Sequence, residues 1–232
     1  MRLSQLIQRH CYLNITQLAE SFADYAAEAL NESLAKNPKA TLVVPGGNTP
    51  RYYLPALAEC NVPWDKITIT LSDERWVDVN DEASNERLVK KHLLAHLPNS
   101  TKFVGLKTRH GTPDEAVDSI QQRLDQLPQP FGLTVLGLGE DGHVASIFPG
   151  ANPELASVQH CFATDQPIAP SPRVSLSLEA LINSQHIALV VVGNAKRQLL
   201  DRLSKNPDPK IPLVWLMQRR QTPIMIFETD GV

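Results

Sequence analysis

The 232-residue sequence predicts an α/β fold, Rossmann-like, with a mostly parallel central sheet flanked by helices on both faces and organised as a single domain over 1–232. Two observations carry this. Short β-branched apolar runs alternate with longer amphipathic stretches, as in βαβ units whose strands are covered on both sides. Several of those runs also end directly in glycine-containing polar clusters, and open α/β sheets bind ligands beyond the carboxyl ends of their strands. No internal repeat or low-complexity tract divides the chain, and Asn206-Pro207-Asp208-Pro209 is short enough to be a loop.

Leu18, Phe22, Tyr25, Ala26, Ala29, Leu30 and Leu34 recur at three- and four-residue steps, which predicts a helix over Ile15 to Lys36, ended by Asn37-Pro38. Thr41-Leu42-Val43-Val44 reads as a buried strand running into the Gly46-Gly47 turn, and a helix follows from Thr49 to Glu59. The next strand covers Ile67 to Ser72 and delivers Asp73-Glu74-Arg75 at its carboxyl end. Ser84 is suited to N-cap a helix reaching about His96. Thr112-Pro113-Asp114-Glu115 combines a capping box with proline at the first helical position, so a helix runs from Pro113 to about Leu127. Leu133 to Leu138 is a strand that leads into Glu140-Asp141-Gly142-His143. Strands follow at Arg173 to Leu178 and His186 to Val192. Gly193 separates the second from a helix over Asn194 to Ser204, and Ile224 to Phe227 is the last strand. The first forty residues add packing without a functional signal, and Arg219-Arg220 is expected to face solvent.

Composition excludes several classes. Hydrophobic residues at 42% and charged residues at 20% match an ordinary globular domain and not a disordered chain. A net charge of −3, without long like-charge blocks, gives no footprint for a nucleic-acid backbone. Cys11, Cys60 and Cys161 are odd in number and far apart, so they read as free thiols of a reducing compartment. Met1 to Asn14 lacks an uninterrupted apolar segment, and the longest clear apolar run, Ile187 to Val192, is too short to span a bilayer. These features lead to the expectation of a cytoplasmic protein with no membrane or nucleic-acid partner, and a monomer is favoured.

The polar clusters at strand ends are the candidate chemistry. Gly46-Gly47-Asn48-Thr49-Pro50 lets the backbone approach a ligand and turns free N–H groups towards an anion; the same residues would also suit a plain turn with Thr49 as helix cap. Asp73, Glu74 and Arg75 supply carboxylates for proton or orientation work and a guanidinium for an anion or developing oxyanion. Asp141-Gly142-His143 is the most pointed, because histidine is the natural base near neutral pH and a neighbouring carboxylate orients it. Arg173 and Lys196, each beside a strand end, can close a phosphate site. No Gly-x-Ser-x-Gly elbow offers a serine nucleophile, and no ligand spacing points to a metal.

Together these clusters resemble the 6-phosphogluconolactonase family, which shares a superfold with glucosamine-6-phosphate deaminases. The resemblance rests on Pro45 to Pro50, Ser72 to Val77 with Ser84-Asn85, Gly137 to Gly150, Arg173-Val174-Ser175-Leu176 and Gly193-Asn194-Ala195-Lys196, in the family's order. A deaminase usually has Tyr after its Asp-Glu and Glu five residues beyond the His, where this chain has Arg75 and Phe148. The lactonase pattern usually has Ser where Asn48 stands.

The resemblance implies hydrolysis of a small sugar-phosphate lactone, 6-phospho-D-glucono-1,5-lactone, without a metal or organic cofactor. Gly46, Gly47, Asn48, Thr49, Arg173 and Lys196 would bind the phosphate, and His143 would act as base. Asp141 would orient His143, Arg75 would steady the oxyanion, and Asp73 is a second candidate for orienting water or sugar hydroxyls. Which carboxylate partners His143 is left open by sequence. The rival readings are a deaminase or isomerase on the same fold, and a sugar-phosphate sensor without turnover.

Overall fold

The computed structural model describes residues 7–151, 160–165, 171–220 and 222–231. In chain order it contains β1 (Ile7–Cys11), α1 (Ile15–Lys36), β2 (Ala40–Val44), α2 (Pro50–Glu59), β3 (Ile67–Leu71), β4 (Asp73–Arg75), α3 (Asn85–His92), β5 (Lys102–Val104), α4 (Pro113–Leu124), β6 (Phe131–Gly137), β7 (Cys161–Thr164), β8 (Arg173–Leu176), α5 (Leu178–Ile182), β9 (Ser184–Val192), α6 (Asn194–Lys205), α7 (Pro212–Arg219) and β10 (Ile224–Thr229). Seven strands form one sheet in the order β1-β10-β9-β6-β2-β3-β5, with every neighbouring pair parallel. The α/β class predicted from sequence is the one observed.

The central strands β2 and β3 are buried at every position, as apolar runs covered on both faces must be. From β2 the chain moves through α2 to β3 and on to β5; from β6 it moves the other way, to β9 and β10. Right-handed crossovers in opposite directions place their helices on opposite faces, and the β2/β6 boundary is where the direction reverses. A crevice therefore opens there at the carboxyl edge. Local chemistry fixes the helices that lead to it. Asn14 caps α1 by accepting from Gln17 N–H at 3.0 Å, and the Thr112/Glu115 capping box starts α4.

A second, three-stranded antiparallel sheet in the order β4-β8-β7 was not anticipated from sequence. At Ser72 the chain leaves the large sheet, where its N–H donates to Val44 O (2.9 Å), and enters the small one, where its carbonyl accepts from Leu176 N–H (2.8 Å). Asp73-Glu74-Arg75 is thus a short strand and not a free strand end.

Other expectations are corrected. Fully buried Leu93 leaves helical geometry (φ −125°, ψ −65°), so α3 stops at His92 and a 3-10 turn over Leu94–His96 completes the segment. The Ser177 hydroxyl caps α5, so β8 ends at Leu176. Arg220 does not face solvent: it is buried, and its guanidinium donates to the carbonyls of Ile182 at the end of α5 (2.6 Å) and of Ser184 and Gln185 (2.7 Å) at the start of β9. Arg219 is exposed and pairs with Glu179 at 2.9 Å.

The edge strand β1 is fastened by one buried carboxylate on β10. Glu228 accepts from Arg9 (2.9 and 2.7 Å), from the Cys11 thiol (2.9 Å) and from Arg197 of α6 (3.3 Å). Burial alone would raise its pKa, but these donors outweigh burial and hold it below the ordinary glutamate value. A carboxylate whose folded pKa is depressed stabilises the fold above its unfolded pKa, and the contribution is lost as pH falls through the folded value. Urea midpoints of the native protein should therefore fall on acidification below about pH 5. Glu228→Gln should be less stable at neutral pH, by about 3 kcal/mol, with a flatter acid limb; equal acid limbs in the two proteins would contradict this role.

Candidate active site

A cleft of about 330 Å³ opens at the carboxyl edge where the chain direction reverses. Gly46, Gly47, Asn48 and Thr49 line it from the β2 end, Asp73 and Arg75 from β4, His143 from the turn after β6, Arg173 from β8 and Lys196 from α6. Asp141 stands behind His143. The structure thus brings together Gly46, Gly47, Asn48, Thr49, Asp73, Arg75, His143, Arg173 and Lys196, from five separate segments, whereas Glu74, singled out with Asp73 and Arg75, does not line the cleft.

The turn after β6 is built around its histidine. Asp141 Oδ1 accepts from the His143 backbone N–H at 3.1 Å and lies 2.6 Å from His143 Nδ1. A carboxylate only accepts, so Nδ1 carries the proton and the Nε2 lone pair is left without a protein partner among the described residues. Both side chains are partly exposed, at 32% for His143 and 40% for Asp141. Gly139 closes the turn through Gly139 N–H to His143 O (3.0 Å), and a Cβ there would collide with the imidazole and with Asp141. The Gly142 carbonyl accepts from Leu213 N–H at the start of α7 (3.3 Å), so that helix supports the turn from beneath.

Asp73 is buried, and both its oxygens are engaged. Oδ1 accepts from Ser72 Oγ (3.1 Å) and Asn85 Nδ2 (3.3 Å); Oδ2 accepts from Ser146 Oγ (2.6 Å) and faces Arg173 at 3.6 Å. Its neighbour Glu74 is also buried and ties down the start of α3, accepting from the N–H groups of Arg75, Asn85 and Glu86, each at 2.8 Å, and from Ser84 Oγ at 3.1 Å. Burial pushes the Glu74 carboxyl up, and those donors pull it back. Arg75 donates to Ala83 O (2.6 Å) and Asn85 Oδ1 (3.1 Å).

The cleft is cationic for reasons visible in its register. Arg75 and Arg173 are directly opposite each other on β4 and β8, an arrangement that costs energy unless anions stand nearby. Asp73 supplies one. Burial lowers the Arg173 pKa while Asp73 raises it, and Arg173 Nε is buried without a hydrogen-bond partner among the described residues. Helices α1, α3, α4 and α5 each carry a side-chain cap, whereas α2, α6 and α7 have neither a cap nor an acidic residue in the first turn; of these three, α2 and α6 begin at the cleft. Thr49 is not a cap. Free N–H groups and the positive ends of two helix dipoles therefore face this space, as an anion site requires.

Asn85 and Ser146 belong to this site, although sequence reasoning assigned them no role. Asn85 lines the cleft, and its amide donates to Asp73 O (2.9 Å) while packing so closely under Gly46 that a Cβ there would collide with it. The available signals were the Ser84-Asn85 helix start and the continuation of the histidine motif into Ser146. One test concerns the histidine turn itself. Gly139→Ala should push the imidazole off Asp141, abolish the downfield Nδ1 proton resonance and lower turnover by about a hundredfold; an unchanged resonance with full turnover would show that the pairing does not need glycine there.

The family model for glucosamine-6-phosphate isomerases/6-phosphogluconolactonase matches residues 14–225. A 6-phosphogluconolactonase of Caulobacter vibrioides is 34% identical over 218 residues, covering 90% of this chain and 92% of that one. One from Mesorhizobium japonicum is 34% identical over 218 residues, covering 91% and 90%. The crystal structure of a 6-phosphogluconolactonase from Shewanella baltica superposes with a TM-score of 0.93 at 34% identity, covering 99% of this chain and 100% of that one. This chain therefore belongs to the glucosamine-6-phosphate isomerase/6-phosphogluconolactonase family.

Proposed function

We propose that the protein hydrolyses 6-phospho-D-glucono-1,5-lactone to 6-phosphogluconate, the second step of the oxidative pentose phosphate pathway, in the cytoplasm. One observation carries this reading: His143, its Nδ1 held by Asp141 at 2.6 Å and its Nε2 without a partner among the described residues, lines a cleft together with Arg75, Arg173 and Lys196. The Gly46–Thr49 turn, the first turns of α2 and α6, Arg173 and Lys196 hold the phosphate. His143 Nε2 takes a proton from water as the water oxygen attacks the ring-ester carbonyl. Arg75 stabilises the tetrahedral oxyanion. When the carbon–oxygen ring bond breaks, the imidazolium returns that proton to the departing ring oxygen, and Asp141 stabilises the imidazolium in between. A lactone is an activated ester, so water and a base suffice without a covalent nucleophile.

Phe148 argues against a deaminase. It is buried, with its ring centroid 4.8 Å from that of His143, and it offers no acid or base at that position.

The test is proton release from freshly generated phosphogluconolactone, read against a no-enzyme control. Accelerated release is expected; ammonia release from glucosamine 6-phosphate instead would establish the deaminase. His143→Ala should lower kcat by about 10²- to 10⁴-fold with little change in KM, and an unchanged rate would remove His143 from the mechanism. Lys196→Ala should act mainly on KM, by about tenfold or more.

A further inference from the structure

Ser146 is a buried hydroxyl in a strained segment, and the hydrolysis just described does not use it. Only 1% of the residue is exposed. Its neighbour Ala145 has φ +50°, a conformation that non-glycine residues avoid unless the surroundings enforce it. The enforcing contacts are a bridge between Val144 and Ile147 and the bond from Ser146 N–H to Ser175 Oγ at 3.1 Å. The bent segment places Ser146 Oγ 2.6 Å from Asp73 Oδ2 and 3.5 Å from Arg173 Nη1. These two residues lie on β4 and β8 of the small sheet, and the serine follows His143 by three positions.

We propose that Ser146 is a positioning residue, its hydroxyl being the joint that holds Asp73 and Arg173 in register with the turn carrying His143. The hydroxyl donates to Asp73 and can accept from Arg173, so it links the anion and the cation that β4 and β8 contribute to the cleft. Without it Asp73 Oδ2 keeps only Arg173 at 3.6 Å, and the guanidinium loses one of the contacts that aim it into the cleft. Ser146 itself does not line the cleft, so it acts through these partners and not on the substrate.

The proposal rests on the lactonase reading and is tested by kinetics on that substrate. Ser146→Ala removes the hydroxyl, creates little void and keeps the backbone bond to Ser175, so the protein should still fold, with a melting temperature several degrees below the native one because buried Asp73 loses a donor. Its kcat/KM should fall by about 10- to 100-fold, the effect of one lost hydrogen bond to a charged group. Ser146→Thr, which retains the hydroxyl, should recover most of the rate. A double-mutant cycle separates positioning from generic damage: Asp73→Asn combined with Ser146→Ala should lose little more than Asp73→Asn alone. Additive losses, or a fully active Ser146→Ala protein, would overturn the role of Ser146 and leave the lactonase reading standing. A native protein without lactone hydrolysis would overturn both.

Discussion

A carboxylate withdrawn from water persists only where protein donors replace its hydration, and at Asp73 those donors come from separate parts of the chain. Ser72 and Asn85 bond one oxygen, Ser146 bonds the other, and Arg173 stands against it. Ser72 closes the large sheet, Asn85 opens α3 under the Gly46 turn, Ser146 continues the histidine turn, and Arg173 begins β8. One anion thus fixes the mutual position of the Gly46 turn, the cationic wall and the turn that carries His143. It is also too fully engaged to serve readily as a base itself. That leaves Asp141 as the carboxylate paired with His143, resolving an assignment that sequence alone left open.

The electrostatics of the cleft follow from this frame. The chain as a whole carries a net charge of −3, yet β4 and β8 set Arg75 opposite Arg173, and two uncapped helices open towards the same space. Such an arrangement is costly when empty and favourable around an anion, which is how a protein of acidic composition can select a sugar phosphate. Phe148 touches both sides of this cleft, its ring centroid 4.8 Å from that of His143 and 5.8 Å from the Arg173 guanidinium.

Much of this was legible in the sequence wherever the signal is local. Asn14 and the Thr112 capping box fix helix starts from a few neighbouring residues, and the apolar periodicity of α1 spans the observed Ile15–Lys36. The Gly46, Asp73 and His143 clusters were visible as polar turns after apolar runs. Elements defined by distant partners were not. The strand β7 buries only Cys161, and its role exists only through pairing with β8. In α7, Pro212 to Met217 are all buried, so no helical period distinguishes it from a buried strand. Ser146 and Asp73 are 73 positions apart, and nothing in either neighbourhood announces their hydrogen bond. Arg220 looked like a surface cation because the carbonyls it satisfies lie more than thirty positions upstream.

In the proposed arrangement the phosphate rests on the Gly46–Thr49 turn and the ring ester beside His143, two parts of one cleft tied together through Asp73. A crystal structure of the protein with bound 6-phosphogluconate tests it most directly. The account predicts the phosphate on the Gly46–Thr49 turn within reach of Arg173 and Lys196, and the C1 carboxylate beside His143 Nε2 and Arg75. A phosphate lodged at His143, or a product bound outside this cleft, would contradict it.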